Sequence, residues 1–483
     1  MIASPFCRRE PGVSVDNVTG TSSFAPSPRT LGELRASGHR LRGVREEIRD
    51  NLLDKLRRRE DPWPGLHGFR DTVIPQLERA LIAGHDIVLL GERGQGKTRL
   101  LRTLVGLLDE WSPVIRGSEL GEHPFEPISP EWRRRAAELG DDLPVEWRHR
   151  SERYAEKLAT PDTSVADLIG DVDPMKVAEG RHLGDPETIH FGLVPRSHRG
   201  IVAINELPDL AERIQVALLN VMEERDIQIR GYVLRLPLDV LLVASANPED
   251  YTNRGRIITP LKDRFGAEIR THYPTTLDDE IAVIRQEARL VAEVPEPVLE
   301  IVARFTRALR ESAAVDQRSG VSARFAIAGA ETVAASALHR ATVRGEDRAI
   351  ARCVDLDTVV DVLRGKIEFE TGEEGRETEI LNHLLRTAIA ACVRERLRGI
   401  DLGLLVAAVE QGRTVATGVR MTADEFLAGL PALGESTLYD EIAQRLDART
   451  PGEIAGGVEL ALEGLYLARR IGKESGGGET LYG

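Results

Sequence analysis

Three apolar runs stand out along the chain: Ile87-Val88-Leu89-Leu90, Gly200-Ile201-Val202-Ala203-Ile204 and Val240-Leu241-Leu242-Val243-Ala244-Ser245-Ala246. None alternates with polar residues, which is the pattern of a parallel strand covered on both faces rather than a half-exposed one. Around them the period changes to that of amphipathic helices. Val73, Leu77 and Leu81 precede the first run, Leu100, Leu101, Leu104, Val105 and Leu108 follow it, and Leu210, Ile214, Ala217, Leu218, Val221 and Met222 follow the second. Short apolar pieces between Asp167 and Val194 predict a helix and a β-hairpin, and Ile227 to Leu236 alternates around Gly231 as a second hairpin. Further on the strands give way to helices: Val298, Ile301, Val302, Phe305 and Leu309 share one face, Ser322 to Ala328 opens another helix, and helical spacing continues through Leu384, Leu385, Ile389 and Cys392 and from Ile454 to Leu465. The pattern predicts an α/β fold with a parallel sheet and hairpin insertions, followed by helices alone.

Each apolar run ends in residues with chemical capacity. The first leads into Gly91-Glu92-Arg93-Gly94-Gln95-Gly96-Lys97-Thr98, which fits the phosphate-binding pattern Gly-x4-Gly-Lys-[Ser/Thr] between a strand and a helix. Its glycines let backbone N–H groups turn onto phosphates, Lys97 can reach the outer phosphate oxygens, and the Thr98 hydroxyl can ligate Mg²⁺. The second run ends in Asn205-Glu206 and the third in Asn247-Pro248. Polar side chains at the carboxyl ends of parallel strands point into the ligand crevice.

Composition narrows the function. A net charge of −14 argues against nucleic acid as the main partner. Between Trp111 and Ala159, Trp132, Arg133, Arg134, Arg135, Trp147, Arg148, Arg150 and Tyr154 could grip a single strand, but Glu131, Glu138, Asp141, Asp142, Glu146 and Glu152 dilute the charge and favour a surface module. His123 and His149 lack companion ligands there and read as surface residues. Cys7, Cys353 and Cys392 are too few and scattered for a disulfide framework, and no apolar run is long enough to span a membrane. A cytoplasmic protein is expected.

These ordered motifs resemble the AAA+ ATPases over roughly residues 60 to 345, most closely the magnesium chelatase I subunit and the related MoxR-type ATPases. The hairpin-bearing insertion before Gly200, the Ile227–Leu236 hairpin and the block Leu261-Lys262-Asp263-Arg264-Phe265-Gly266 look like that group. The resemblance implies Mg²⁺ and ATP as cofactors, held by Gly91 to Thr98, with Thr98 and Asn205 toward the metal. It implies that Glu206 polarises the attacking water, that Asn247 is the first sensor, that Arg264 is an arginine finger acting on a neighbour's ATP, and that Arg324 is the second sensor in a helical lid. It further implies a self-assembled ring, a hexamer, that hydrolyses ATP to remodel a partner carrying a von Willebrand A domain. An ATP-gated regulatory module of the transcription-regulator type is the alternative. Where most P-loop ATPases end this strand in Asp-Glu, this chain has Asn205-Glu206, so slow hydrolysis is expected.

The expected organisation is a disordered segment over 1–29, a charged, solvated amphipathic helix over 30–60, and an AAA+ nucleotide-binding domain over 61–272 with an insertion at about 112–160. A helical lid over 273–369, a C-terminal helical region over 377–473 and a flexible tail over 474–483 complete it.

Overall fold

The computed structural model describes residues 24–173, 175, 178, 188–223, 226–229, 232–247, 255–316, 320–410, 414–430, 437–476 and 479–483. Of the disorder expected over 1–29, residues 1–23, Cys7 among them, fall outside the described residues, whereas Pro28 and Arg29 are held in place: Pro28 O accepts from Trp147 Nε1 at 2.9 Å and Arg29 O from Val145 N at 2.8 Å. Five strands, β1 (Ile87–Leu90), β2 (Tyr154–Leu158), β3 (Gly200–Asn205), β4 (Val240–Ala246) and β5 (Ala267–Arg270), pair in parallel in the order β5-β1-β4-β3-β2.

Alternate residues of these strands enter two different layers. Ile87, Leu89, Ile201, Ala203, Leu241 and Val243 pack with the apolar faces of α1 (Val44–Arg58), α2 (Val73–Ala83) and α3 (Lys97–Thr103). Val88, Leu90, Val202, Ile204, Leu242 and Ala244 pack on the other side with residues that include Ile214, Leu218 and Val221 of α4 (Glu212–Glu223). Both faces are covered, which is why the three central runs show no alternation. The two hairpins are present as antiparallel pairs, Gly170–Val172 with Ile189–Phe191 and Asp226–Ile229 with Tyr232–Arg235.

Helix α1 is amphipathic, as its spacing predicts, and its apolar face also buries a charge. Val44, Ile48 and Leu52 are buried, and Glu47 on the same face forms a two-pronged ion pair with Arg153, 2.7 Å to each oxygen. A buried pair is tolerated only when its remaining hydrogen bonds are made. Here Glu47 Oε1 accepts from Asp109 N at 2.7 Å and Arg153 donates to Arg199 O at 2.9 and 2.6 Å.

The insertion expected over about 112–160 ends earlier. Trp111–Ile115 pairs antiparallel with Val145–His149, and the chain then joins the central sheet as β2. Tyr154, Ala155, Glu156 and Lys157 are each half-buried at the sheet edge, so they carry no apolar signature in sequence. His123 is buried and not a surface residue: it stacks on His39 with ring centroids 5.3 Å apart.

Beyond β5, α5 is Thr259–Arg264, α6 Leu277–Glu287, α7 Glu296–Glu311, α8 Ala323–Arg344, α9 Glu377–Arg396 and α10 Pro451–Leu467. From α6 onward one buried cluster runs from Ile281 to Tyr482, with the five α7 residues expected from spacing inside it. The last residues do not form a loose tail. Lys473–Gly476 and Glu479–Tyr482 pair antiparallel, the latter also with Val415–Gly418, while Gly477 and Gly478 lie outside the described residues. One aromatic anchors this otherwise polar hairpin: Tyr482 is buried and its hydroxyl donates to Glu463 at 2.7 Å. Cys353 and Cys392 are buried free thiols. Among the described residues no helix is long and apolar enough to cross a membrane.

Candidate functional site

The loop after β1 is built by glycines that no other residue replaces cheaply. Gly94 and Gly96 sit at φ 76° and 75°, the left-handed region that side chains disfavour. At Gly91 a Cβ would lie 1.9 Å from Thr271 Oγ1. Thr271 and Gln95 are the loop's braces: Gln95 Oε1 accepts from Glu92 N at 3.1 Å and from Thr271 Oγ1 at 2.9 Å. The Tyr273 hydroxyl donates to Arg93 O at 2.9 Å from outside. Lys97 donates its ammonium to Gly91 O and, at 2.8 Å, to Glu92 O. Ionised phosphate oxygens are stronger acceptors than these neutral carbonyls, so the ammonium is poised for exchange.

The ends of β3 and β4 meet this loop because of strand parity. Odd-numbered residues of both strands face α3, so Asn205 and Ser245 emerge beside Thr98. Asn205 Oδ1 accepts from Ser245 Oγ at 3.1 Å and lies 3.4 Å from Thr98 Oγ1. The amide of Asn205 donates to Glu156 Oε1 at 2.8 Å. Glu206 follows in a left-handed conformation, φ 58°, with its N–H donating to Ser245 Oγ at 3.3 Å. Such backbone, which costs about 1–3 kcal/mol, is concentrated where function holds it in place. Asn247, two residues past Ser245, is 5% exposed, and its Oδ1 has no hydrogen-bond partner among the described residues. A buried acceptor without a donor calls for one, such as a water held by a bound ligand.

Electrostatics reinforce the network. Burial pushes the Glu156 carboxyl up, but the hydrogen bonds and charge of Arg102, with help from Tyr154 and Asn205, more than offset it and hold Glu156 below the ordinary carboxylate range.

The structure thus brings Lys97, Thr98, Asn205, Glu206 and Asn247 to adjoining strand ends. Arg264 makes its contact elsewhere, paired with Glu223 at the end of α4. Arg324 is exposed in the first turn of α8, its N–H capped by Ser322 Oγ at 3.1 Å. That cap, Ser322, abuts the phosphate loop: a Cβ on Gly94 would lie 2.3 Å from Ser322 Cβ. Sequence reasoning missed Glu156, Ser245, Thr271 and Ser322. Ser245 was within reach, since it shares the parity of Asn247; the others gain their roles only from tertiary contact.

The donor set suits Mg²⁺ and a nucleotide. A hydroxyl and an amide oxygen side by side are the few hard oxygen ligands that Mg²⁺ takes while keeping most of its waters. Among the described residues no group of three or more His, Cys, Asp and Glu is placed to hold a metal by itself. Thr98 and Asn205 would face the ion, Lys97 and the loop amides the phosphates, and bound Mg²⁺ would supply charge stabilisation to phosphoryl oxygens.

Over 343 residues, 67% of this chain and 88% of the relative, the sequence is 28% identical to the magnesium-chelatase 38 kDa subunit of Acidiphilium rubrum. The chain resembles the magnesium-chelatase I subunits. The same holds for the magnesium-chelatase subunit ChlI of Anabaena variabilis, 28% identical over 65% of this chain and 85% of the relative. The sigma-54 interaction domain family matches residues 177–264. Among solved structures, the complex of the magnesium-chelatase subunits BchI and BchD is 20% identical, covering 66% of this chain and 98% of that one, with a TM-score of 0.36. NtrX from Brucella abortus with ADP is 14% identical over 78% and 71%, with a TM-score of 0.37. Both superpositions score low. The chain has the expected parallel α/β sheet, with the glycine-rich loop Gly91–Thr98 after β1 and the Asn205-Glu206 pair at the end of β3.

Proposed function

We propose that this chain binds Mg-ATP at the ends of β1, β3 and β4 and hydrolyses it slowly, as the motor subunit of an oligomeric ring that remodels a partner protein. The observation that carries the reading is the meeting at adjoining strand ends of Lys97, Thr98, Asn205, strained Glu206 and Asn247, whose buried Oδ1 is unpartnered among the described residues. Glu206 polarises the attacking water, Asn247 orients it, and Lys97 with Mg²⁺ offsets charge on the transferred phosphoryl group. Arg324 senses the nucleotide from the helical lid. Arg264, half-exposed on α5 and paired with Glu223, completes the site of the neighbouring subunit. We place the ring at six subunits and take its client to be a protein with a von Willebrand A domain and a metal site; similarity to proteins named as magnesium-chelatase subunits supports a role within a larger assembly.

Subunit mixing tests the ring. Arg264→Ala and Glu206→Gln proteins are each inactive alone, and mixing them regenerates ATPase activity, because a site with intact Glu206 then receives Arg264 from its neighbour. Wild-type specific activity also rises with protein concentration. Activity that ignores concentration and mixtures that stay silent contradict it.

A second reading is favoured by one observation, the sigma-54 interaction domain match over residues 177–264. In it the chain is an ATP-gated regulatory module with little turnover. Affinity capture from native extract separates the two: a von Willebrand A protein supports the motor, and RNA polymerase supports the regulator.

A further inference from the structure

Asparagine at position 205 puts a neutral amide where a charged carboxylate would be equivalent in either orientation. A carboxylate presents oxygen on both sides, whereas an amide has one acceptor side and one donor side. The side that faces Thr98 therefore matters: oxygen there can accept from Mg²⁺-bound water or ligate the ion, and an NH₂ group there repels it.

The neighbourhood of Asn205 decides the orientation. Glu156 lies opposite Ala203 in the β2–β3 register, on the same sheet face as Asn205 and one pleat back. Its carboxylate is an acceptor only, so the group 2.8 Å from Glu156 Oε1 must be the amide nitrogen. The oxygen is then forced toward Ser245 Oγ and Thr98 Oγ1. Glu156 is itself fixed. Arg102 donates to both its oxygens, Nε to Oε2 at 2.8 Å and Nη2 to Oε1 at 3.0 Å, and the Tyr154 hydroxyl donates to Oε2 at 3.2 Å. Arg102 is one helical turn beyond Thr98 on α3, so both reach the same strand pair. Thr98, Asn205, Glu156 and Arg102 form a closed ring of contacts between one helix and two strands.

We propose that Glu156 is a positioning residue that locks the Asn205 amide with its oxygen toward the Mg²⁺ site, so that a neutral residue serves where a carboxylate usually stands. The inference rests on the Mg-ATP reading above. It also predicts that Asn205→Asp is not a simple repair, since that substitution would set a second carboxylate against Glu156 at hydrogen-bond distance.

The test uses the full chain and a fluorescent ATP analogue, titrated at increasing Mg²⁺ and, separately, in EDTA. Wild type binds more tightly as Mg²⁺ rises. Glu156→Leu, close in size and without an acceptor, moves the Mg²⁺ half-point up by about tenfold or more, the usual effect of removing an outer-shell partner. Glu156→Gln, which keeps one acceptor for Asn205, recovers most of that loss. Asn205→Asp gains less Mg²⁺ affinity than Asn205→Asp combined with Glu156→Gln, in which the amide has changed sides. Binding in EDTA stays within about twofold of wild type throughout, showing an intact fold and phosphate loop. A Glu156→Leu half-point within about twofold of wild type, or an Asn205→Asp protein equal to the double variant, overturns the role of Glu156. Wild-type binding that ignores Mg²⁺ overturns instead the Mg-ATP reading on which it rests.

Discussion

Gly94 and Ser322 give the contact between the phosphate loop and the start of α8 a measurable size. In Gly94→Ala the new Cβ would meet Ser322 Cβ at 2.3 Å, with Ser322 Cα and Oγ both at 2.8 Å. Carbon atoms at rest sit about 3.5–4.0 Å apart, so loop and helix must separate by roughly 1 Å. Overpacking of this kind costs about 1–3 kcal/mol. The left-handed backbone at φ 76° adds about 1–2 kcal/mol for any residue with a Cβ. Gly94→Ala should therefore destabilise by about 2–5 kcal/mol. Ser322→Gly alone costs a few tenths of a kcal/mol, because glycine still caps a helix. The double variant loses the worst overlap but keeps the backbone strain and the 2.8 Å approach to Cα. Urea unfolding of all four proteins should give a favourable coupling of about 1 kcal/mol or more. Costs that add within about 0.5 kcal/mol would mean that loop and helix do not touch, and the reasoning fails.

Two further outcomes follow from the site and its surroundings. Lys97→Ala removes the ammonium held over the loop and should weaken ATP-analogue binding by at least about tenfold, or about 1.4 kcal/mol; titration at fixed Mg²⁺ reads it, and unchanged affinity contradicts a phosphate role. Burial first, then the charge of Arg199, holds His123 at about 2 and His198 at about 3, against 6.5 in the free imidazole. Both stay neutral in the fold and take up a proton on unfolding, so their contribution is complete above about pH 6.5 and is lost as pH falls below it. At about pH 5 the loss is about 2 kcal/mol for each imidazole. His123→Gln, which can still accept from Phe125 N, should lose about 2 kcal/mol less than wild type between about pH 7 and pH 5 in urea unfolding, and equal losses refute the assignment.

What sequence makes legible here depends on how each element is buried. Ile87 to Leu90, Ile201 to Ile204 and Leu241 to Ala246 are covered on both faces and read plainly as central strands. Tyr154 to Leu158 belongs to the same sheet but sits at its edge, half-exposed and charged, so it merges with the preceding module in any reading of hydropathy. The phosphate loop is legible because its chemistry is local. Asn205 is visible as a departure, yet what makes the departure workable, Glu156, lies 49 residues earlier and gains meaning only from the register of β2 on β3. Thr271 and Ser322 likewise act by filling space against glycines, and spacing in the chain does not encode that. The closing hairpin escaped notice because its strands are mostly polar and Tyr482 is its one deeply buried side chain among the described residues.

On the proposed reading, Glu206 and its neighbours form a working, if slow, hydrolytic site. Phosphate release by the purified full chain at saturating Mg-ATP, set beside Glu206→Gln, tests it most directly. Wild type should release phosphate steadily, at least about a hundredfold faster than a Glu206→Gln protein that still binds the nucleotide. Equal rates for the two would contradict it and leave a nucleotide-binding switch in its place.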